Sequence, residues 1–499
     1  MTELTAEKFD LVVVGGGPSG ATLAALVAKQ GHRVLLLEKE KFPRYQIGES
    51  LLPSTVHGVC KLLGVAEEVE AAGFVKKLGG TFRWGANPDP WTFTFAISPK
   101  IAGPTSHAFQ VERMKFDQIL LDNARRVGVQ VREECSVNSI IDDGDRVTGL
   151  RYTDVDGTAH EISATIVADC SGNRSRIHQH TGGKRVYSEF FQNVALFGYF
   201  EGGKRLPAPR NGNILCEAFE DGWFWYIPLS DELTSVGAVI ARERVDQIQG
   251  DSEKALFKFI ERSPLIQDML SEARRVTEGP YGEIRVRKDY SYCDTAFWKP
   301  GMVLAGDAAC FVDPVFSSGV HLATYSGLLA ARSINSVLSG EVDERRSFTE
   351  FEKRYRREYG LFYEFLISFY DLHHDEQSYF WSAKKLTSAG ASDAEAFVEL
   401  VGGAASGDAA LTAVTAGRRL ASAADQLAQA VDSVRGQGGG DVDKPAPLLK
   451  APIIGEVMQE GAQVQARAAL GDDLGDEKPL FVDGLVPSGD GMTWKIPVS

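Results

Sequence analysis

The chain has 499 residues, 43% hydrophobic and 24% charged, with a formal net charge of −15. That is the balance of a globular protein long enough for two or three domains, and its acidity argues against a nucleic-acid partner. Six scattered cysteines without a C-x-x-C pair, no apolar signal core and no uncharged apolar run of about 18 residues exclude a disulfide scaffold and a membrane span. The expectation is a soluble cytoplasmic protein with free thiols and no metal site.

Leu11 to Val14, extended backwards by Phe9, is an apolar run of strand type. It leads into Gly15-x-Gly17-x-x-Gly20, a helical stretch from Ala21 to Gln30, a second strand from Arg33 to Leu37, and Glu38. This is a βαβ unit. Its glycines serve a tight turn, close approach to a pyrophosphate and close helix–strand packing, and its terminal acid is placed for a ribose hydroxyl. The helix N-terminus turns unpaired N–H groups toward the phosphates.

Further along come Lys41-Phe42-Pro43-Arg44-x-x-Ile47-Gly48-Glu49-Ser50-Leu51-Leu52-Pro53, then Gly79-Gly80-Thr81-Phe82-Arg83-Trp84. Arg113 stands in Val111-Glu112-Arg113-Met114-Lys115-Phe116-Asp117, and Val167 to Arg176 carries Asp169 and Gly172 separated by Cys170 and Ser171. Gly222-Trp223-Phe224-Trp225-Tyr226-Ile227-Pro228 is a strand with two tryptophans on one face, a pattern that core packing alone also explains. Met302 to Ala309 is a strand broken at Gly306-Asp307, where an aspartate could equally be a helix cap. Asp313-Pro314-Val315-Phe316-Ser317-Ser318-Gly319 then opens a helix. After Phe348 the pattern is helical; residues 361–370 are too apolar for a surface and should bury against the body. An Ala-rich region from Ala389 breaks at Gly436-Gln437-Gly438-Gly439-Gly440, a flexible linker.

Together these motifs resemble those of the flavin-dependent halogenases, in particular their phenol- and carrier-substrate branch, within the hydroxylase-like FAD flavoproteins. The resemblance covers residues 9 to about 385. It implies an α/β, hydroxylase-like FAD-binding fold with an inserted β-sheet substrate domain and a C-terminal helical extension. The FAD-binding domain would comprise 1–80, 107–180 and 283–335, and the substrate sheet 81–106 and 181–282. Residues 336–499 would form a mostly helical region with a linker near 436–445.

The cofactor residues it implies are Gly15, Gly17, Ser19, Gly20, Glu38, Lys39, Arg44, Glu49, Ser50, Arg113, Asp307 and Gly319. Chloride would contact Ser318 and Gly319, although Ser-Ser-Gly could be only a capping turn. Backbone dipoles must make that site, because the net charge repels anions, an effect salt screens beyond about 8 Å. In the family, reduced FAD and oxygen give a flavin hydroperoxide. Chloride converts it to hypochlorous acid, which travels through a tunnel to an active-site lysine. Lys77 aligns with that lysine; the adjacent Lys76 would point the other way along a strand.

Phe316 stands where tryptophan-acting members carry a glutamate, which points to a phenolic or similarly electron-rich ring. Trp223 and Trp225, with Phe316, would line the tunnel and keep organic substrate from the flavin. The resemblance, with only one dinucleotide fingerprint and so no nicotinamide domain in the sequence, implies a separate flavin reductase. The substrate could be free or tethered to an acyl or peptidyl carrier protein. Docking would then use Lys204, Arg205 and Arg210, or Arg354, Arg356 and Arg357, unless these form ordinary solvated faces. The alternative reading is a single-component FAD-dependent aromatic hydroxylase, the same fold without the halogenase lysine.

Overall fold

In a computed structural model, residues 7–84, 89–97, 104–371 and 479–497 are described. The first strand, Glu7–Val14, runs parallel to Val34–Leu37 on one side and Ala159–Asp169 on the other. Gln130–Arg132 and Met302–Leu304 extend this parallel core outward. A hairpin of Ser136–Asp142 and Val147–Thr153 adds antiparallel strands along the first half of Ala159–Asp169. Leu11, Val12 and Val13 are fully buried, as continuous apolar runs must be when both sheet faces are covered.

The expected helix after the glycines is Pro18–Ala28. Pro18 at its first position has no N–H to leave unsatisfied. It packs against the helix Ser318–Ser339 through small residues: a Cβ on Gly327 would lie 2.7 Å from the Ser19 carbonyl oxygen.

A second sheet of nine strands lies beyond. Along its main path the order is Cys310–Phe311, Arg285–Asp294, Arg185–Glu201, Leu233–Ala241, Gly222–Pro228, Ile214–Phe219, Gly79–Arg83 and Trp91–Thr94. Its strand alternation divides two cores. Phe224 and Tyr226 face the helices Ser252–Glu261 and Pro264–Met269, while Trp223 and Trp225 face the main core shared with the first sheet.

Just past the expected boundary at 283, Arg285–Asp294 pairs with Arg185–Phe197 in the second sheet. The ladder joins segments about a hundred residues apart, which local patterning does not reveal.

Ser318–Ser339 ends at Gly340 (φ 77°), and the chain returns as Glu344–Asp371. Tyr355, Tyr359, Tyr363, Leu366, Phe369 and Tyr370 on that helix are buried, as the apolar stretch 361–370 led us to expect. The Ala-rich segment and the linker lie outside the described residues. Residues 479–497 come back to the body: Trp494 is buried, donates from Nε1 to Ser333 Oγ at 2.8 Å, and lies beneath Arg332 and Arg354.

Most side chains of the two basic clusters are engaged within the fold, while Arg210 is exposed and donates to Thr92 Oγ1 at 3.3 Å. Arg356 is buried and bonds Glu352 Oε1 and the Asp294 carbonyl; Arg354 bonds Glu350 and the Leu485 carbonyl. Arg205 is spent on the carbonyls of Gly203, Ser230 and Asp231, and Lys204 pairs with Asp268. Acids four residues earlier on the helix, and turns folded back onto the guanidinium, satisfy these charges internally. The six cysteines are all buried and unpaired. Among the described residues no group of His, Cys, Asp and Glu could hold a metal, and no helix is long and apolar enough to cross a membrane.

Candidate active site

The dinucleotide turn divides its work among the glycines. Gly15 has φ +103°, and a Cβ there would lie 2.5 Å from the Cys170 carbonyl oxygen. A Cβ on Gly20 would lie 1.9 Å from the Gly15 carbonyl oxygen, so only glycine lets the helix start against the turn. Gly17 is the extended residue before the helix, and the nearest atom to its absent Cβ is an Arg44 guanidinium nitrogen at 3.4 Å.

Arg44 is held by Asp117 at 3.1 Å. Glu38 is buried at the end of its strand, where Oε2 accepts the Gly16 N–H at 2.6 Å and Oε1 that of Glu40 at 2.9 Å. Lys39 points outward, half exposed, 3.9 Å from Glu40. Ser19 is buried with no hydrogen-bond partner for its Oγ. A glycine-lined turn with a buried hydroxyl left unspent fits a bound diphosphate.

Arg113 grips Asp117 through two bonds of 2.8 and 2.9 Å and donates to the Ile47 carbonyl. It thereby props the turn at Gly48 (φ +99°), from which Glu49, Ser50 and Leu51 run toward the second sheet. Asp307 follows Gly306 (φ +62°). Burial lifts its carboxyl to about 6, against the opposing pull of Arg113 and Arg185. Arg113 and Asp307 are close enough to feel each other's charge, and a ribityl chain and flavin ring would lie beside them. Ser50 Oγ and Glu49 Oε2 are buried there without hydrogen-bond partners.

Lys77 ends the short strand Val75–Lys77, which pairs with Ala108–Gln110. It is 2% exposed. Its Nζ donates to the Leu51 carbonyl at 2.9 Å and to Ser317 Oγ at 3.3 Å, and lies 5.5 Å from the centre of the Phe95 ring. Burial drives its pKa down from 10.5 to about 7. Lys76, the alternating neighbour, is exposed and pairs with Glu70 at 3.5 Å.

Ser317 takes a left-handed conformation (φ 61°) at the mouth of the helix Ser318–Ser339. Ser318 is fully buried with an unpartnered Oγ, and a Cβ on Gly319 would meet no heavy atom within 4 Å. Open space, a free hydroxyl and a helix N-terminus thus meet one turn from the lysine. Phe316 packs on Phe365 and Phe369, with ring centres 4.4 and 4.5 Å away, and on Phe82 at 6.0 Å.

Trp223 and Trp225 are buried 6.3 Å apart, on the sheet face toward this region. Trp225 lies over Gly237 of the neighbouring strand, where a Cβ would come within 2.3 Å of the indole. Its Nε1 donates to Ser235 Oγ at 3.1 Å; that of Trp223 donates to Tyr370 OH at 2.6 Å, which in turn donates to Asp313 Oδ2 at 2.9 Å. The motifs singled out from sequence contain Ser317 and Asp313 but give no sign of Tyr370, which comes from the C-terminal helix. Phe95 and Tyr199 were likewise not signalled; only their position in space brings them here.

The first sheet, its glycine turn and the returning aspartate define a flavoprotein of hydroxylase-like architecture, with a buried amine at Lys77. The tryptophan halogenase family profile matches residues 10–102 and 97–432. A tryptophan 2-halogenase of Chondromyces crocatus is 37% identical over 380 residues, 75% of this chain and 70% of its own length. The solved structure of the myxobacterial chondrochloren halogenase CndH, described as a variant of FAD-dependent halogenases, is 52% identical with a TM-score of 0.77, covering 98% of this chain and 100% of that one. That of the flavin-dependent halogenase CmlS is 29% identical with a TM-score of 0.74, covering 99% and 84%. The chain belongs to the tryptophan halogenase family and is a flavin-dependent halogenase, an enzyme that uses reduced FAD and halide.

Proposed function

We propose that this enzyme chlorinates an electron-rich, phenolic ring, free or borne on an acyl or peptidyl carrier protein, with Lys77 as the catalytic amine. A separate flavin reductase would supply the reduced cofactor. The observation that carries this reading is the surroundings of Lys77: a buried amine near neutrality, held by one carbonyl and one hydroxyl, with the Phe95 ring beside it. Bound reduced FAD supplies the electrons that activate oxygen. Gly15, Gly17, Ser19, Gly20 and Arg44 would hold its diphosphate, Glu38 its adenosine ribose, and Arg113, Ser50 and Asp307 would face its ring end.

Chloride suits the Ser318 hydroxyl and the backbone N–H groups at Gly319. A helix N-terminus contributes about 0.3–1 kcal/mol to an anion, enough for an exchangeable halide. The neutral form of Lys77 can capture hypochlorous acid, and its ammonium form can orient that acid by hydrogen bonding. Phe316 brings a ring where a carboxylate would help an indole carry positive charge. A phenol supplies that help from its own oxygen.

The test is a mass-spectrometric product screen with FAD, a reductase, NADH, oxygen and chloride. Its panel holds phenols, free and carrier-bound, and free tryptophan. The expected product shows a chlorine isotope doublet, reduced roughly 10²–10⁴-fold in Lys77→Ala. A product carrying oxygen without chlorine would establish the hydroxylase reading, and chlorinated tryptophan alone would overturn the phenol assignment.

A further inference from the structure

Glu49 is 2% exposed, and its carboxylate ends a string of hydroxyls that no step above uses. Its Oε1 accepts from Tyr199 OH at 2.7 Å. With that proton committed, Tyr199 OH accepts from Tyr45 OH, also at 2.7 Å. Tyr45 is only half-buried, and the Arg285 guanidinium lies 3.9 Å from the centre of its ring. At the other end, Glu49 Oε2 makes no hydrogen bond among the described residues. Two residues on, the Leu51 carbonyl holds the Lys77 amine.

Other groups also face this carboxylate. Arg113 and Glu112 approach from the helix that Arg113 begins, and Ser235 lies against it from the tryptophan face. Tyr281 packs on Tyr199 at a tilt, with ring centres 4.5 Å apart, but its own hydroxyl donates to Glu112 at 2.9 Å and so stands off the string. Burial is the largest influence on Glu49 and lifts it to about 7, the range in which a carboxyl both holds and releases a proton at neutral pH. Burial likewise pushes Tyr45 and Tyr199 up, so both phenols stay protonated and can relay without ionising.

The chemistry requires such a route. Chlorination breaks one C–H bond of the ring and forms one C–Cl bond. Dihydroflavin gives up two electrons, and both atoms of oxygen leave as water. Charge and hydrogen balance only if one further proton enters from solvent for each chloride consumed. The walls around Lys77 and Ser318 are buried, so that proton needs a path.

We propose that Tyr45, Tyr199 and Glu49 form a proton wire that brings this proton from solvent to the active site, with Glu49 Oε2 as its delivery end. The proposal rests on the halogenase reading above. One shift along the string takes a proton from water onto Tyr45, passes that of Tyr45 to Tyr199 and that of Tyr199 to Glu49. Rotation of the carboxylic acid then presents the new proton on the unpartnered side.

The experiment follows the buried carboxyl by difference infrared spectroscopy on the full chain with oxidised FAD bound, without turnover. The protonated-carboxyl band should titrate near pH 7 and be missing in Glu49→Gln. After dilution into deuterated water, its exchange should slow roughly tenfold or more in Tyr199→Phe and in Tyr45→Phe, about 1.4 kcal/mol in barrier. Tyr281→Phe, a packed neighbour off the string, should exchange at the wild-type rate. Equal exchange in all variants, or equal slowing in Tyr281→Phe, would overturn the wire. Fluorescence titration of FAD serves as the companion readout: a loss of FAD affinity in Tyr199→Phe matching the slowed exchange would also overturn it, as a purely structural effect. Because no turnover is involved, the wire can fail while the halogenase reading stands, or survive a product screen that finds no chlorinated phenol.

Discussion

The cofactor cradle and the tryptophan face of the second sheet are both buried, yet they treat polar atoms in opposite ways. Around the cradle, Ser19, Ser50, Ser318 and one oxygen of Glu49 hold no hydrogen bond among the described residues. On the tryptophan face the indole N–H groups of Trp84, Trp223 and Trp225 are matched, to the Phe369 carbonyl, Tyr370 and Ser235, and only that of Trp91 is left over among the described indoles there. A buried polar group without a partner costs about 1–3 kcal/mol, so a fold tolerates several together only where something else completes them. The unspent hydroxyls mark where ligands enter, and the satisfied indoles mark a wall.

The hardest way to break this contrast is at the turn itself. Gly20→Ala would push a methyl group to 1.9 Å from the Gly15 carbonyl oxygen, and should abolish FAD binding as measured by flavin fluorescence titration.

Next in size is the buried amine. The folded pKa of Lys77 is about 7 against 10.5 for a free lysine. The unfolded chain therefore holds the extra proton between those values, and the cost of burying Lys77 is full below about pH 7 and fades as pH rises toward 10.5. Lys77→Met should accordingly stabilise the protein by on the order of a few kcal/mol at neutral pH, with the gain in denaturant midpoint shrinking in alkali. A gain that did not depend on pH would refute the assignment. In the same range, where the neutral amine does the chemistry, chlorination should rise with pH through about 7.

The wall responds through stability. Tyr370→Phe leaves the Trp223 indole N–H without its partner and should cost about 1–3 kcal/mol in urea unfolding. Ser318→Ala sharpens the contrast from the other side. It removes a hydroxyl that bonds nothing, so stability should hold while the chloride KM rises roughly two- to tenfold, the worth of about 0.5–1.5 kcal/mol. Lys39→Ala, at the exposed end of the same strand-to-turn unit, should change stability by less than about 0.5 kcal/mol and leave FAD affinity intact.

How much of this was legible in sequence follows from the range of the interactions. The βαβ unit was readable because strand, glycines, helix and Glu38 act on neighbours within about thirty residues. Lys77 was distinguishable from Lys76 because side chains alternate along a strand. Arg354 and Arg356 were misjudged as surface charges although Glu350 and Glu352 stand four residues before them, a spacing that pairs charges on a helix. The edge at Arg285–Asp294 and the return of Trp494 depend on partners far along the chain, and no local pattern announces them.

By itself the sequence determined the cofactor turn and the family motifs, because short-range sterics and backbone chemistry restrict which residues those positions accept. Tertiary structure alone decided that Lys77 loses its proton near neutrality, that Tyr370 crosses from the last long helix to hold Trp223, and that Tyr45 and Tyr199 lead to Glu49. Each of these depends on burial and on groups brought together from distant segments, and desolvation is a property of the packed environment that no residue carries alone.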